Sequence, residues 1–220
     1  MDAALSIGQR VEMIFGETRR IVLSAPEFAA GYVILVASVA AIVDFYGAVG
    51  AGDIIIGIVS FVAGYFMTRA FIERSGLASA GLVGGIGKYF GLSLLTGLAI
   101  GLGLLLLVIP GLFLFIRWLP SFAVALVDGE DITEAMGRAW DMTEGHVIPL
   151  AISMVAPVAI YAAGAGMFFV SAEATSALAA VVAIGSNALI FTSTALGTAI
   201  GVAAYSLLRN RDWQLEEVFE

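Results

Sequence analysis

Residues 88–128 read KYFGLSLLTGLAIGLGLLLLVIPGLFLFIRWLPSFAVALVD, and the only charges in this stretch are Lys88, Arg117 and Asp128. Lys88 to Ile109 is long enough to cross a hydrocarbon core of about 30 Å, which takes roughly 20 apolar residues as a helix. Pro110-Gly111 then breaks the run, because Pro beside Gly favours a turn. Residues 112–127 return as a shorter apolar segment interrupted by Arg117 and Pro120. This segment is either a complete, tight span or a helix that crosses only in part.

The same apolar runs continue on both sides. Spans are expected at about 26–46, 54–72, 88–109, 112–127, 147–170 and 187–208. Nine of the ten Lys and Arg residues fall in 1–24, 68–88, 128–146 and 209–220. The alternate gaps, 44–53, 110–112 and 171–175, hold Asp44, Asp53 and Glu173 but no Lys or Arg. Positive charge is retained in cytoplasmic loops, so the alternation predicts an even number of crossings with both termini cytoplasmic. The expected fold class is all-α: a polytopic membrane helical bundle of about six transmembrane helices, with 1–220 forming a single integral membrane domain.

Composition agrees, with 60% hydrophobic and only 13% charged residues. The net charge of −8 lies mainly in 128–146 and the C-terminal tail, where it reads as solvated surface. No basic stripe exists to neutralise phosphates, which argues against nucleic acid as a partner. Cysteine is absent, which removes disulfides, thiolate metal sites and Cys nucleophiles. The first 24 residues are charged throughout and lack an apolar core, so no cleaved signal peptide is expected.

Two amphipathic helices are expected outside the spans. In 5–23, Leu5, Val11, Ile14, Phe15, Thr18 and Val22 fall near one face, either on the membrane surface or packed against the other spans. Ser24-Ala25-Pro26-Glu27 resembles a capping box that opens the first span. In 131–145, Asp131 and Glu134 have capping-box spacing, and Glu134–Arg138 has the favourable i, i+4 order. Ile132, Met136, Ala139 and Trp140, with Ala135, form its apolar face and are the expected anchor, on the inner leaflet or over the cytoplasmic end of the bundle. Residues 176–208 exceed one perpendicular span, so a break at Gly185-Ser186-Asn187 is expected; a single long tilted helix is the alternative.

Few residues suggest chemistry. Gly81 to Lys88 fails as a phosphate loop, because Leu82 falls where the first Gly belongs and Tyr89 replaces the Ser or Thr. His146 is the only histidine, so it reads as a capping or interfacial group. No catalytic residue, metal site or cofactor is indicated. Arg117 is the one charge near the middle of an apolar segment, and an intramembrane charge calls for a named partner. Counted from the outer end of 112–127 it lies about 9 Å deep. A carboxylate, Glu173 or Asp44, is the expected partner, with snorkelling or a substrate or lipid-headgroup contact as rivals. Ser93, Gly97 and Gly101 form one small-residue ladder, and Ser193, Gly197 and Gly201 another. Such ladders bring helices together within a bundle, or between copies as a homo-oligomer or with another membrane protein.

The run Ile109-Pro110-Gly111-Leu112-Phe113-Leu114-Phe115-Ile116-Arg117, followed by Pro120 and by Glu134 to His146, carries a family likeness. It resembles the membrane domain attached to some bacterial glycerophosphoryl diester phosphodiesterases, and the related YciC-like inner-membrane proteins. Those proteins have an "IPG" break, an arginine after it, and an A-x-x-x-S/A-W-x-x-x-x-G helix before the next span. Here Ile109, Pro110, Gly111 and Arg117 match the break, and Ala135, Ala139, Trp140 and Gly145 match the helix. The likeness covers 109–146; elsewhere only hydropathy and span count agree. It implies a bacterial inner-membrane module linked to envelope or lipid processes, without phosphodiesterase activity, since the catalytic domain of that family is separate.

The expected function is therefore a non-enzymatic accessory, scaffold or lipid-interacting membrane module with membrane lipids as partners. The alternative is a small transporter or channel subunit that uses the Pro110-Gly111 break and Arg117 as a polar site.

Overall fold

The structure is a computed structural model that describes residues 5–46, 50–78, 81–171 and 176–209. Among these the chain is all-helical: α1 (Ile7–Ser24), α2 (Pro26–Tyr46), α3 (Ala51–Arg74), α4 (Ile86–Leu106), α5 (Val108–Arg117), α6 (Ser121–Val127), α7 (Ile132–Met142), α8 (Val147–Ser171) and α9 (Ser176–Leu208). Six segments are long and apolar enough to cross a membrane: α2, α3, α4, α5 with α6 (Val108–Val127), α8 and α9. The chain is a multi-pass membrane protein built as a helical bundle.

Helix α1 begins in a capping box that sequence reading did not identify. The Gln9 N–H donates to Ser6 Oγ at 3.3 Å, and the Ser6 N–H donates to Gln9 Oε1 at 3.0 Å. The helix packs against α9, α8 and α3. Its buried stripe is Ile14, Thr18 and Ile21, while Phe15, assigned from sequence to the apolar face, is exposed. The anticipated Ser24 cap is not formed: Ser24 ends α1 and its hydroxyl donates to the Ile21 carbonyl at 2.7 Å. Pro26 does open α2, where its missing N–H has no partner to lose.

Hydrogen bonds gather the charged segments at one end of the bundle. Arg10 Nη1 donates to the Gly145 carbonyl and Arg20 Nη1 to the Ser75 carbonyl, each at 3.1 Å. Ser206 donates to Glu17 at 2.5 Å, and Arg209 Nη1 to the Leu77 carbonyl at 2.8 Å. The Arg20 guanidinium holds the Glu17 carboxyl below the usual carboxylate range. At the opposite end, Asn187 Nδ2 on α9 donates to Asp44 on α2 at 2.7 Å, and exposed Phe45 and Tyr46 meet edge to face. This ring pair fits an interfacial belt.

Residues 176–208 form one helix of 33 residues, which corrects the expected break at Gly185-Ser186-Asn187. The two polar side chains find partners without unwinding α9. Ser186 Oγ donates to the Gly164 carbonyl of α8, and Asn187 Nδ2 also donates to its own helix at Ala183, 2.9 Å away. In lipid an interrupted helix exposes backbone groups that water cannot satisfy, so continuity is favoured. At about 1.5 Å per residue α9 spans about 50 Å, so it must tilt or project beyond the hydrocarbon.

Candidate functional site: a lateral cavity and a caged arginine

The α4–α5 hairpin shapes the site. Its break falls at the single residue Leu107, three positions before Pro110. Pro110 instead occupies the first turn of α5, where a missing N–H costs no helical hydrogen bond. Gly111 serves close approach: a Cβ there would stand 2.5 Å from the Leu104 backbone nitrogen, and a Cβ on Gly103 would stand 2.9 Å from Gly111 Cα. The two helices therefore meet backbone to backbone near the hairpin tip.

Arg117 ends α5 immediately before the turn 118–120. Its side chain is buried, with 6% of the residue exposed, and the guanidinium carbon lies 4.2 Å from the Trp140 ring centroid and 6.0 Å from that of Phe113. Its backbone carbonyl accepts from Thr143 Oγ1 at 3.2 Å. No carboxylate among the described residues lies within ion-pair distance of it, and its Nε is buried without a hydrogen-bond partner. The expected pairing with Asp44 is thus corrected, since Asp44 binds Asn187 at the other end of the bundle. Glu173 lies outside the described residues. Depth counted from Pro110-Gly111 was misleading, because the turn after Arg117 delivers its side chain to α7 instead. A cation over an aromatic face is attracted by the ring quadrupole, by up to about 2 kcal/mol when desolvated.

Helix α7 docks against α6. Ala135 and Ala139 are fully buried and Met142 nearly so, while Ile132, Met136 and Trp140 are half-buried along the seam. Glu134 Oε2 accepts from the Asp131 N–H at 3.3 Å, and Arg138 reaches Glu130 at 2.5 Å and Asp128 at 3.5 Å. Tyr205 of α9 donates to Asp128 at 2.8 Å, and Lys88 of α4 donates to the carbonyls of Gly129 and Glu130. This clasp between α4, α7 and α9 joins residues far apart in the chain, and no local spacing announces it. His146 is buried, with Nδ1 2.9 Å from the Glu144 carbonyl.

A cavity of about 630 Å³ lies between α4 on one side and α8 and α9 on the other. Ser93, Gly97 and Gly101 line it from α4, and Ser193, Gly197 and Gly201 from α9. The two small-residue ladders therefore face each other across open space. A Cβ on Gly97 or Gly101 would touch nothing within 4 Å. Gly201 differs, because it makes room for the Leu119 carbonyl of the α5–α6 turn, 2.5 Å from where a Cβ would sit. Phe115, Trp118 and Phe122 wall the cavity from α5, that turn and α6, while Leu104, Val158 and Tyr161, about half exposed, leave it open sideways to the hydrocarbon. From Tyr89 to Leu104 its α4 wall runs about 22 Å at helical rise.

Among the described residues, no Asp, Glu, Lys, Arg or His side chain lines the cavity. Its polar groups are hydroxyls and one indole N–H, set in a mainly apolar wall, and its volume falls within the roughly 300–1,000 Å³ of small-molecule sites. Arg117 lies on the other face of α5 and is not part of it. No family model, curated protein or solved structure matches this chain.

Proposed function

We propose that this chain is a non-enzymatic, lipid-interacting module of the bacterial inner membrane that admits a lipid chain sideways into the α4–α8–α9 cavity. The observation that carries the reading is the cavity itself, which is apolar, long and open toward the hydrocarbon. The resemblance over 109–146 to phosphodiesterase-associated membrane domains supports the assignment to an envelope or lipid process. The transporter alternative rests on Arg117 as part of a polar path. Arg117 is turned away from the cavity and covered by Trp140, so the alternative lacks its key residue.

Filling the cavity tests the reading. At Gly97 and Gly101 an added Cβ meets no atom within 4 Å and points into the cavity, so Gly97→Leu and Gly101→Leu are both expected to fold. Labelling of the protein by a lipid carrying a photoactivatable acyl chain should concentrate on α4 and α9 cavity peptides and fall severalfold in the double variant. Labelling spread evenly over all lipid-facing helices, and indifferent to the two leucines, overturns the reading.

The module is further proposed to face its basic end to the cytoplasm, because retained positive charge marks that side. Ala51→Cys and Glu144→Cys place single exposed thiols at opposite ends of this cysteine-free chain. An impermeant maleimide should label position 51 in spheroplasts and position 144 only after permeabilisation. The reverse pattern inverts the orientation.

A further inference from the structure

We propose that the occupant of the cavity is an uncharged long-chain lipid bearing a free hydroxyl, of the diacylglycerol or long-chain alcohol type, whose hydroxyl meets Ser193. The inference rests on the lipid-binding reading above and adds the chemical class of the ligand. It starts from how the cavity hydroxyls are already engaged. Thr68 donates to the Gly64 carbonyl at 2.8 Å, Ser93 to Tyr89 at 2.8 Å and Thr96 to Leu92 at 2.6 Å. On α9, Thr194 donates to Ile190 at 3.2 Å and Thr198 to Thr194 at 3.0 Å. Each of these hydroxyl hydrogens is committed to its own helix, so what these side chains offer the cavity is acceptor lone pairs.

Among the serines and threonines that line the cavity, Ser193 breaks the pattern. It lines the cavity, only 8% of the residue is exposed, and its hydroxyl makes no hydrogen bond among the described residues. Its oxygen is not among the sealed, partnerless polar atoms of the described residues, so it opens into the cavity, and an unbonded hydroxyl open to an apolar cavity marks where a ligand group can bond. The matching group must accept from Ser193 and can donate to the neighbouring lone pairs. A hydroxyl does both.

The same wall rejects a charged head. A phosphate or carboxylate brought to Ser193 would meet acceptors on α4 and α9 and, among the described residues, no Lys or Arg. Ser193 lies twelve residues, about 18 Å of helix, from Tyr205 in the charged clasp, too far for Lys88 or Arg138 to compensate. An anion at such depth without a counter-charge is strongly disfavoured. A phospholipid could insert a bare chain, yet that would leave Ser193 unsatisfied. An uncharged hydroxylated lipid satisfies it and still fills the apolar space.

The test compares two lipids that differ by one phosphate. Photoactivatable diacylglycerol and phosphatidic acid with identical chains are each offered to the full chain in nanodiscs, and cross-linked peptides are read by mass spectrometry. Diacylglycerol is expected to label the α4 and α9 cavity peptides at least about tenfold more than phosphatidic acid. Ser193→Ala should cut that labelling by about three- to tenfold, the range of one lost hydrogen bond. Ser193→Thr, which keeps the hydroxyl, should retain most of it, and thermal melts of both variants establish that they fold. Equal cavity labelling by the two lipids, or labelling indifferent to Ser193→Ala, overturns the ligand class while leaving lipid binding in place. If neither lipid labels the cavity in the parent chain, this inference and the lipid-binding reading both fall.

Discussion

Gly84→Val is expected to unseat α6 and to be among the most destabilising single substitutions in the chain. The N–H groups of Val83 and Gly84 both donate to the Leu126 carbonyl at 3.0 Å, which pins the segment before α4 against the end of α6. A Cβ on Gly84 would collide with the Ala125 carbonyl oxygen and stand 2.8 Å from Leu126 Cα. These are backbone atoms of fully buried residues, so no side-chain rotation relieves the clash. Overpacking of this kind costs about 1–3 kcal/mol, and the two hydrogen bonds add about 1 kcal/mol each if the segment is pushed away. Gly85→Val is the control, because a Cβ at Gly85 meets nothing within 4 Å and its φ of −101° suits any residue. Thermal melts of the detergent-solubilised variants should separate clearly. Equal melts would show that Gly84 is not held against α6.

Trp140→Ala is expected to cost about 2–3 kcal/mol in lost apolar burial, and up to about 2 more from the cation–π contact. The ring covers Arg117 and meets Phe113 edge to face at 5.6 Å, so its loss uncovers a charge that has no carboxylate among the described residues. Arg117→Leu strands no partner among the described residues and is expected to be neutral or stabilising, as replacing a buried charge by an apolar group often is. In the Arg117→Leu background, Trp140→Ala should cost less by the cation–π contribution. Asp44→Asn should show no coupling to Arg117→Leu, given its bond to Asn187. A strongly destabilised Arg117→Leu protein that Asp44→Asn rescues would restore the pairing that the sequence suggested.

Hydropathy alone located the six crossings, because roughly 20 apolar residues per crossing is a bilayer dimension and needs no knowledge of neighbours. The ends of these elements were less legible. Ser24 looked like a cap for α2 and became the last residue of α1, because its hydroxyl found the Ile21 carbonyl first. Gly185-Ser186-Asn187 looked like a break and stayed helical, because α8 and α2 supplied partners. In both places the deciding hydrogen bond is chosen by geometry that spacing does not encode.

The candidate site divides in the same way. The ladders Ser93-Gly97-Gly101 and Ser193-Gly197-Gly201 were visible as small residues at helical spacing, and that pattern says only that a face is thin. Whether a thin face meets another helix or borders a cavity depends on where α4 is held. The hairpin with α5 and the clasp through Lys88 keep α4 away from α9, so the ladders line the cavity.

What the sequence determined by itself is the class of the molecule: an all-helical membrane bundle with its basic segments alternating along the chain, since length and charge act locally against the bilayer. Only the tertiary structure decided that Arg117 lies under Trp140, that Asp44 binds Asn187, and that Ser193 faces a cavity without a hydrogen-bond partner among the described residues. Each depends on contacts between helices distant in sequence, whose relative rotation and depth are set by backbone close approach at residues such as Gly84, Gly111 and Gly201.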